Sequence, residues 1–336
     1  MALRVLVTMS FPEELLEQVR AVSPQVHLSY APLKANEPLP ASTLAEAEVL
    51  YTFSALPRPE EAPHLRWVQF HSAGIDHVHG HPLLDSNVAL TTVSGIHAVT
   101  MGEYVMALIL AWAHHVPRML IYQKRAIWPG GRWAKFVPQE LRGATIGILG
   151  YGSIGREVAR LARAFGMRVL ATKRDPRHMT DEGYWIEGTG DPTGDLPDRV
   201  YPAAATKSML PECDYVVVCA PLVESTHHMI DEAALKAMKP TAFLVNISRG
   251  KLIHEGTLVE ALEKGWIAGA GLDVFEMEPL PSDSPLWKMD NVILSPHVAG
   301  FTPSYDRRAI DLFTRNLRRY LDGRPLLNLV SRERGY

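Results

Sequence analysis

The chain has 336 residues, of which 47% are hydrophobic, and a formal net charge of −3 at pH 7. This length allows two domains with separate apolar cores, and so small a charge provides no strong field to attract nucleic acid or an anionic membrane surface. The two cysteines provide neither a disulfide framework nor pairs of metal ligands. The N-terminal apolar run is too short for a signal peptide, and the longest apolar stretch, 105–113, is well short of the ~20 residues that span a bilayer. We therefore expect a cytoplasmic protein without nucleic-acid or membrane partners.

The first 97 residues alternate short apolar strands with helical or turn-rich segments. The predicted strands are 3–8, 26–30, 49–52, 67–70 and 88–91. Such alternation is typical of a parallel α/β sheet. Ser10 is the expected N-cap of a helix that begins near Pro12.

A glycine-rich sequence, Gly150-Tyr-Gly152-Ser-Ile-Gly155, separates a predicted strand at 144–149 from a helical pattern. In a dinucleotide-binding fold the first glycine allows a tight turn, the second lets the backbone approach a pyrophosphate, and the third lets helix pack closely on strand. The pyrophosphate would lie at a helix N-terminus, which favours an anion. Glycines in this spacing alone are a weak signal. Because a second strand follows at 168–172, the whole unit predicts nucleotide binding.

The region after the glycine loop continues the alternation of strands and helices. Its predicted strands are 144–149, 168–172, 215–219, 242–246, 267–272 and 291–294, with helices such as 231–238 and 256–264 between them. Six strands with intervening helices fit a doubly wound sheet. The segment 180–207 is rich in Gly, Pro, Asp and Thr, and indicates a surface insertion. The tail, 303–322, has one apolar helical face and is followed by stop signals at Gly323 and Pro325.

Three segments with chemically useful side chains follow the last strands of this second set. They are 246–250, which contains Arg249, 272–279, which contains Glu278, and 295–300, which contains His297. An arginine can hold an anionic substrate, a histidine can transfer a proton, and a carboxylate can orient that histidine. Each of the three alone would be interpreted as a surface ion-pair member or a core histidine. Their joint placement at the ligand-binding edge of the sheet favours an active site for carbonyl reduction.

An ordered series of motifs resembles the D-isomer-specific 2-hydroxyacid dehydrogenase family over most of the chain. The series comprises His71-Ser-Ala-Gly74-Ile-Asp76, Gly102-Glu103-Tyr-Val, Trp133, Glu140-Leu-Arg-Gly143, the glycine loop, Ala220-Pro221-Leu, Glu224-Ser-Thr226 and the three segments above. The resemblance implies two doubly wound parallel-sheet α/β domains. A flavodoxin-like substrate domain would contain residues 1–97 and 302–336, and a Rossmann domain that binds NAD(P) would contain residues 98–301. The implied reaction is reduction of a short 2-oxo acid, such as glyoxylate or hydroxypyruvate, to the D-2-hydroxy acid.

The resemblance also implies roles for individual residues. Arg249 would bind the substrate carboxylate and carbonyl, His297 would be the acid/base, and Glu278 would pair with His297. The backbone of Ser72, Ala73 and Gly74 would hold the substrate carboxylate from the other domain, in a cleft that closes on binding. The implied cofactor residues are Thr100, Gly150, Gly152, Ser153, Ile154, Gly155, Thr172, Lys173, Arg174, Ala220, Pro221, Thr226, Ile247, Ser248, Asp273 (at the nicotinamide carboxamide) and Gly300. Similar enzymes are homodimers through the region of Trp112, Trp128 and Trp133, so a homodimer is expected.

The end of the second strand of the glycine-loop unit departs from the pattern of NAD-selective folds. Such folds place an acidic side chain there to accept hydrogen bonds from the ribose hydroxyls. This chain has Lys173 and Arg174 instead, with Thr172 before them. Two cations and a hydroxyl suit a 2′-phosphate, which predicts a preference for NADP(H). NAD is the alternative if Asp175 takes the ribose.

Other functions are open at this point. A formate dehydrogenase relative would share the fold, but its histidine is partnered by an amide, so Glu278 favours the 2-hydroxyacid interpretation. A cofactor-sensing corepressor also exists in this superfamily, so a binding protein without turnover is the main alternative. The sequence His77-Val-His79-Gly-His81 invites a metal site, but the spacing is more typical of a polar loop, and no metal is predicted.

Overall fold

The computed structural model describes residues 2–34 and 37–333. Its helices and strands, in chain order, are β1 (Leu3–Val7), α1 (Glu13–Arg20), β2 (Val26–Tyr30), α2 (Ala41–Glu46), β3 (Val49–Thr52), β4 (Trp67–Phe70), β5 (Ala89–Thr91), α3 (Ala98–Ala113), α4 (Val116–Lys124), α5 (Arg132–Lys135), β6 (Thr145–Leu149), α6 (Ser153–Ala164), β7 (Arg168–Lys173), β8 (Arg199–Pro202), α7 (Thr206–Met209), β9 (Tyr215–Val218), α8 (Glu232–Ala237), β10 (Phe243–Asn246), α9 (Glu255–Glu263), β11 (Gly269–Leu272), β12 (Val292–Leu294) and α10 (Tyr305–Leu321). Two compact units result. The first unit contains Met1–Ile96, Glu182–Tyr184 and Thr302–Tyr336, and the second contains His97–Asp181 and Trp185–Phe301.

The first unit is built on a five-stranded parallel sheet with the order β2-β1-β3-β4-β5. This is the flavodoxin-like order, 2-1-3-4-5. Helices α1 and α10 cover one face, where Leu16 and Val19 share a core with Ile310, Phe313 and Leu317. Burial of each such side chain contributes roughly 1.5–3 kcal/mol, so the C-terminal helix is an integral part of this unit.

The second unit is built on a seven-stranded parallel sheet with the order β12-β11-β10-β9-β6-β7-β8. Renumbered within the unit, its first six strands have the doubly wound order 3-2-1-4-5-6. Helices α3 and α6 pack closely because Gly102 has no side chain: a Cβ there would lie 2.7 Å from Cγ of Glu157. The carboxyl ends of the strands lie along one edge of the sheet, which brings their loops together. The predicted class, two doubly wound α/β domains, is confirmed.

The predicted surface insertion at 180–207 is wrong in two respects. It contains β8, a strand that was not predicted, which pairs in parallel with β7. It also buries Tyr184, whose backbone N–H donates to Oδ1 of Asn328 and whose hydroxyl donates to Oδ2 of Asp311, at 3.0 Å each. These contacts place Glu182–Tyr184 in the first unit, whereas the predicted second domain, 98–301, included them.

The same segment is organised around Asp191, which is buried. Its carboxylate accepts hydrogen bonds from the hydroxyl of Tyr151 at 2.6 Å and from the backbone N–H groups of residues 194–196 at 3.0–3.1 Å. A buried carboxylate is tolerated only when donors satisfy it in this way. Asp191 is therefore a structural residue of this segment rather than a solvated loop residue.

The expected cap at Ser10 is also wrong. Helix α1 begins at Glu13, its N-cap is Pro12, and no side chain caps it. Glu13 and Glu14 instead place negative charge in the first turn, which complements the helix dipole.

In the described part of the chain no single helix is long and apolar enough to cross a membrane. Helices α3 and α4 meet that length and composition only as a pair, across a bend of 65°.

Candidate active site

The glycine loop lies between β6 and α6. Gly150 has a φ of 101°, in the left-handed region, and a Cβ there would lie 2.8 Å from the backbone of Ala220. A Cβ at Gly155 would lie 2.3 Å from the carbonyl oxygen of Gly150. At Gly152, which caps α6, a Cβ would meet no protein atom within 4 Å, and Ser153 and Ile154 form the first turn of the helix. Gly150 and Gly155 thus serve folding, whereas the N-terminus of α6 beside Gly152 suits a phosphate group.

Strand β7 ends at Lys173, beside the glycine loop. Thr172 is buried and its Oγ1 accepts a hydrogen bond from the N–H of Gly150 at 3.2 Å. Lys173 is half-buried, and burial, with a further contribution from Arg156, lowers the pKa of its ammonium group. The loop backbone and the cation are therefore held at the same end of the sheet.

Asp175 follows two residues later and is engaged in its own turn. Its carboxylate accepts from the side chain and backbone N–H of Arg177, with N···O distances of 3.1 Å, and from Nδ1 of His178 at 2.7 Å. The Arg177 side chain, followed by His178, holds the pKa of Asp175 well below its usual range.

Arg249 lies on the loop after β10, whose backbone is held by its own side chains. Nδ2 of Asn246 donates to the carbonyl of Arg249 at 2.9 Å, and Oδ1 of Asn246 accepts from the N–H of Ser248 at 3.2 Å. At Gly250 a Cβ would lie 1.8 Å from the carbonyl carbon of Phe275. The backbone of the Arg249 loop therefore lies in close contact with the segment that leads to Glu278.

Asp273 follows β11 and is only 1% exposed. Its Oδ1 accepts from the Ser295 hydroxyl at 2.6 Å and the Val298 N–H at 2.9 Å, and its Oδ2 accepts from the Ala299 N–H at 2.9 Å. Its backbone carbonyl accepts from the N–H of His297 at 2.8 Å. Asp273 thus shapes the loop after β12, and its contact with a nicotinamide carboxamide stays a prediction.

His297 is held in an unusual backbone conformation by this arrangement. Its φ is 54°, a value uncommon for residues other than glycine. Such a conformation persists only where the surrounding structure enforces it, and residues of this kind cluster at functional sites.

Glu278 and His297 form a direct pair. Nδ1 of His297 lies 2.7 Å from Oε2 of Glu278, and the other carboxylate oxygen accepts from the N–H of Phe275 at 3.1 Å. The two side chains are 48% and 35% exposed for His297 and Glu278 respectively. Because the carboxylate engages Nδ1, Nε2 is the nitrogen left to exchange a proton with a ligand.

The remaining predicted cofactor residues belong to the same unit. The Ser248 hydroxyl donates to the carbonyl of Ala220 at 2.6 Å, which ties the loops after β9 and β10 together. The Thr226 hydroxyl donates to the carbonyl of Pro221 at 2.7 Å. The others are Thr100 in the first turn of α3, Arg174 after β7, Ile247 in the core, and Gly300 beside His97. Their contacts with a cofactor stay predictions.

The predicted substrate loop, residues 72–74, follows β4 in the first unit. The Ser72 hydroxyl donates to the carbonyl of Gly74 at 2.8 Å. His71, just before it, is nearly enclosed, and burial lowers the pKa of its imidazole to about 4. Nδ1 of His71 lies 2.8 Å from the hydroxyl of Tyr51. The loop therefore begins at a buried histidine that is neutral at pH 7.

The three closely spaced histidines have protein partners or lie at the surface. Nε2 of His77 lies 2.8 Å from the carbonyl oxygen of Phe53, and Nδ1 of His81 accepts from the N–H of Leu83 at 3.2 Å. Nowhere in residues 2–34 and 37–333 are three or more His, Cys, Asp or Glu side chains placed to hold a metal ion.

The three tryptophans in the region of the expected dimer contact divide into two groups. Trp112 stacks on Phe243 with ring centroids 4.7 Å apart, inside the second unit. Trp128 and Trp133, at 83% and 81% exposed, stand beside an apolar groove of about 810 Å³ formed by residues 119–138.

Some residues that shape the site are not apparent from sequence reasoning. Burial raises the pKa of the hydroxyl of Tyr104, on α3, and Ser295 and Asp273 also act on it, which places Tyr104 beside the Asp273 arrangement. Nε2 of His228 lies 2.8 Å from Oε1 of Glu276. Their partners lie far along the chain, so no local pattern reveals these residues.

Comparisons with known proteins agree with the geometry. The model of the D-isomer specific 2-hydroxyacid dehydrogenase NAD binding domain matches residues 106–299. A glyoxylate reductase of Korarchaeum cryptofilum is 36% identical over 276 residues, which cover 82% of this chain and 78% of that protein. A D-isomer specific 2-hydroxyacid dehydrogenase family protein from Aeromonas salmonicida superposes with a TM-score of 0.77 at 32% identity, covering 99% of this chain and 100% of that one. An NADPH-dependent glyoxylate/hydroxypyruvate reductase from Sinorhizobium meliloti, in complex with NADP and sulfate, has a TM-score of 0.77 at 27% identity and 99% coverage of both chains. The chain therefore belongs to the D-isomer-specific 2-hydroxyacid dehydrogenase family, as its motifs predicted.

Proposed function

We propose that the protein reduces a short 2-oxo acid, such as glyoxylate or hydroxypyruvate, to the D-2-hydroxy acid. The observation that supports this most strongly is the hydrogen bond of 2.7 Å between Glu278 and His297. Both residues lie on loops at the same edge of the sheet as the loop that carries Arg249. Glyoxylate reductases among the relatives agree with it.

The residues of the second unit fit a nicotinamide dinucleotide. The open space beside Gly152 at the start of α6 suits a pyrophosphate, and Lys173 lies at the end of the next strand, where the adenosine ribose is expected. When bound, the cofactor supplies the hydride that converts a carbonyl carbon to an alcohol carbon.

The chain's own residues supply binding and the proton. The guanidinium of Arg249 is proposed to bind the substrate carboxylate in bidentate fashion and to stabilise negative charge that develops on the carbonyl oxygen. Protonated His297 gives the proton on Nε2 to that oxygen, which becomes the hydroxyl of the product. Glu278 keeps the ring oriented through Nδ1 and stabilises its positive charge before the transfer.

We propose a preference for NADPH over NADH. Lys173 and Arg174 can bind a 2′-phosphate, and Asp175 is occupied by Arg177 and His178 rather than turned toward a ribose. The presence of NADP in the Sinorhizobium meliloti enzyme, which shares the fold, is in line with this assignment.

We further propose that residues 72–74 of the first unit contact the substrate. We also propose that the protein is a homodimer. The exposed Trp128 and Trp133 beside the apolar groove favour association of two copies through this face, because exposed apolar patches of this kind mark interaction surfaces. A cytoplasmic location remains a prediction of the sequence.

Steady-state assays with glyoxylate, hydroxypyruvate and pyruvate, each with NADPH and NADH, test the proposal. We expect turnover on the order of one per second or more with at least one acid. Cofactor binding without turnover on any of them would instead identify a cofactor-sensing protein.

A further inference from the structure

Glu276 lies two residues before Glu278, and its side chain is the meeting point of three loops. Oε1 of Glu276 lies 2.8 Å from Nε2 of His228 and accepts from the backbone N–H of Glu255 at 3.1 Å. The backbone N–H of Glu276 in turn donates to Oε2 of Glu255 at 3.1 Å. One glutamate is thereby bound to the loop after β9 and to the start of α9.

The same loops contain or adjoin the Arg249 segment. The N–H of His228 donates to the carbonyl of Lys251 at 2.8 Å, and the absent side chain of Gly250 allows backbone contact with Phe275. Glu276 therefore lies where the segment carrying Arg249 meets the segment carrying Glu278.

His228 adopts a left-handed conformation, with a φ of 50°. A side chain other than glycine in this region is strained, and the strain persists only where other contacts enforce it. Here the ring pairs with Glu276, lies at a tilt of 40° to the ring of His227 with centroids 3.9 Å apart, and makes an edge-to-face contact with His254 with centroids 4.9 Å apart. Glycine would adopt this backbone conformation freely, but the residue here is a histidine whose side chain reaches Glu276.

We propose that Glu276, held by His228 and Glu255, is a positioning residue that fixes the Glu278 loop against the Arg249 loop. Glu278 hydrogen-bonds the N–H of Phe275 and pairs with His297, and the contacts of Glu276, two residues earlier, hold the loop on which Glu278 lies. A displacement of about 1 Å at reacting groups lowers rates by roughly 10²-fold. The inference rests on the proposed function for its kinetic consequence.

The test compares Glu276→Ala, Glu276→Gln and His228→Gly in the full chain. Glu260→Gln is the matched control, because Glu260 also pairs with a basic side chain in the second unit, Lys264, but on an exposed face of α9. Hydrogen exchange is measured over residues 273–280 and 249–252, together with kcat, the KM for NADPH and Tm.

We expect Glu276→Ala to raise exchange in both segments and to lower kcat at least tenfold, with the KM for NADPH within twofold and Tm near that of the control. Glu276→Gln, which keeps an acceptor oxygen, retains more activity. His228→Gly relieves the left-handed strain, so its Tm is unchanged or higher while kcat falls. A purely structural role would instead move Tm and kcat together.

If hydrogen exchange over residues 273–280 and 249–252 is the same in Glu276→Ala as in the control, the positioning role is overturned, whatever the activity. A kcat within twofold of the control in an active enzyme overturns it as well. Absence of turnover in the unsubstituted chain contradicts the proposed function alone, because the exchange measurement still decides whether Glu276 orders the two loops.

Discussion

The buried floor of the site and its exposed mouth use carboxylates in opposite ways. Asp273, at the floor, is enclosed and accepts from one hydroxyl and two backbone N–H groups, so its charge orders a loop. Glu278, at the mouth, is about one-third exposed and its Oε2 faces a histidine that is itself half exposed. Separate residues therefore supply the fixed backbone and the accessible proton donor.

A substitution in the exposed pair of His297 and Glu278 is expected to change the kinetics most. His297→Ala removes the proton donor and is predicted to lower kcat/KM roughly 10²-fold to 10⁴-fold, the range for loss of general acid catalysis. Because the side chain is 48% exposed, the free energy of unfolding should change little. Parallel kinetics and urea unfolding check both halves of the prediction, and unchanged kinetics would remove His297 from the mechanism.

Asp273→Ala tests the floor. It leaves buried donors from Ser295, Val298 and Ala299 without an acceptor, and we expect a loss of roughly 3–5 kcal/mol in the free energy of unfolding. Glu278→Gln is the control, with an expected change within about 0.5 kcal/mol. Equal losses of stability in the two variants would show that the division between floor and mouth is false.

His71, in the first unit, is a buried titratable group beside the predicted substrate loop. Like Asp273, it is expected to affect stability. Its pKa is about 4 in the folded protein, lowered by burial, against about 6.5 when unfolded. The unfolded state therefore binds the proton more tightly, so stability is complete above pH 6.5 and is lost as the pH falls toward 4. We expect a decrease of about 2 kcal/mol between pH 7 and pH 5 from this group.

The measurement for His71 is urea unfolding at both pH values for the unsubstituted chain and for His71→Gln. The variant should lose most of the pH dependence. Asp306, whose pKa burial raises, acts in the opposite sense at lower pH, so the interval is kept above pH 5. The same slope in both proteins would contradict the assignment.

Lys173→Ala has the smallest expected effect, and it concerns cofactor choice alone. Loss of one charge-assisted hydrogen bond, worth about 1.5 kcal/mol or more, should lower kcat/KM for NADPH relative to NADH about tenfold. Lys207→Ala is a suitable control, since Lys207 pairs with Asp231 on the surface of the same unit. A preference of the unsubstituted enzyme for NADH would end the NADP hypothesis.

The sequence predicted features that depend on local signals. The glycine loop, the neighbouring strands and the apolar face of the C-terminal helix all follow from short-range patterns, and the loop geometry explains the spacing of Gly150 and Gly155. The pairing of Glu278 with His297 came from the family resemblance, and the structure has the two in hydrogen-bond contact.

The remaining features depend on partners distant in sequence. Asp191 has the composition of a loop residue but is buried, because Tyr151 and nearby backbone N–H groups satisfy it. Strand β8 is short and lies within a polar segment, so only its pairing with β7 reveals it. The loop-ordering role of Asp273 likewise depends on N–H groups beyond the next strand.

A crystal structure with NADPH and oxamate, an unreactive analogue of a 2-oxo acid, would show whether Arg249, Glu278 and His297 act together on the substrate. We predict Nε2 of His297 within about 2.6–3.2 Å of the carbonyl oxygen next to the carboxylate, the guanidinium of Arg249 on that carboxylate, and Glu278 still on Nδ1. A complex in which Arg249 and His297 both face away from the analogue would contradict the claim.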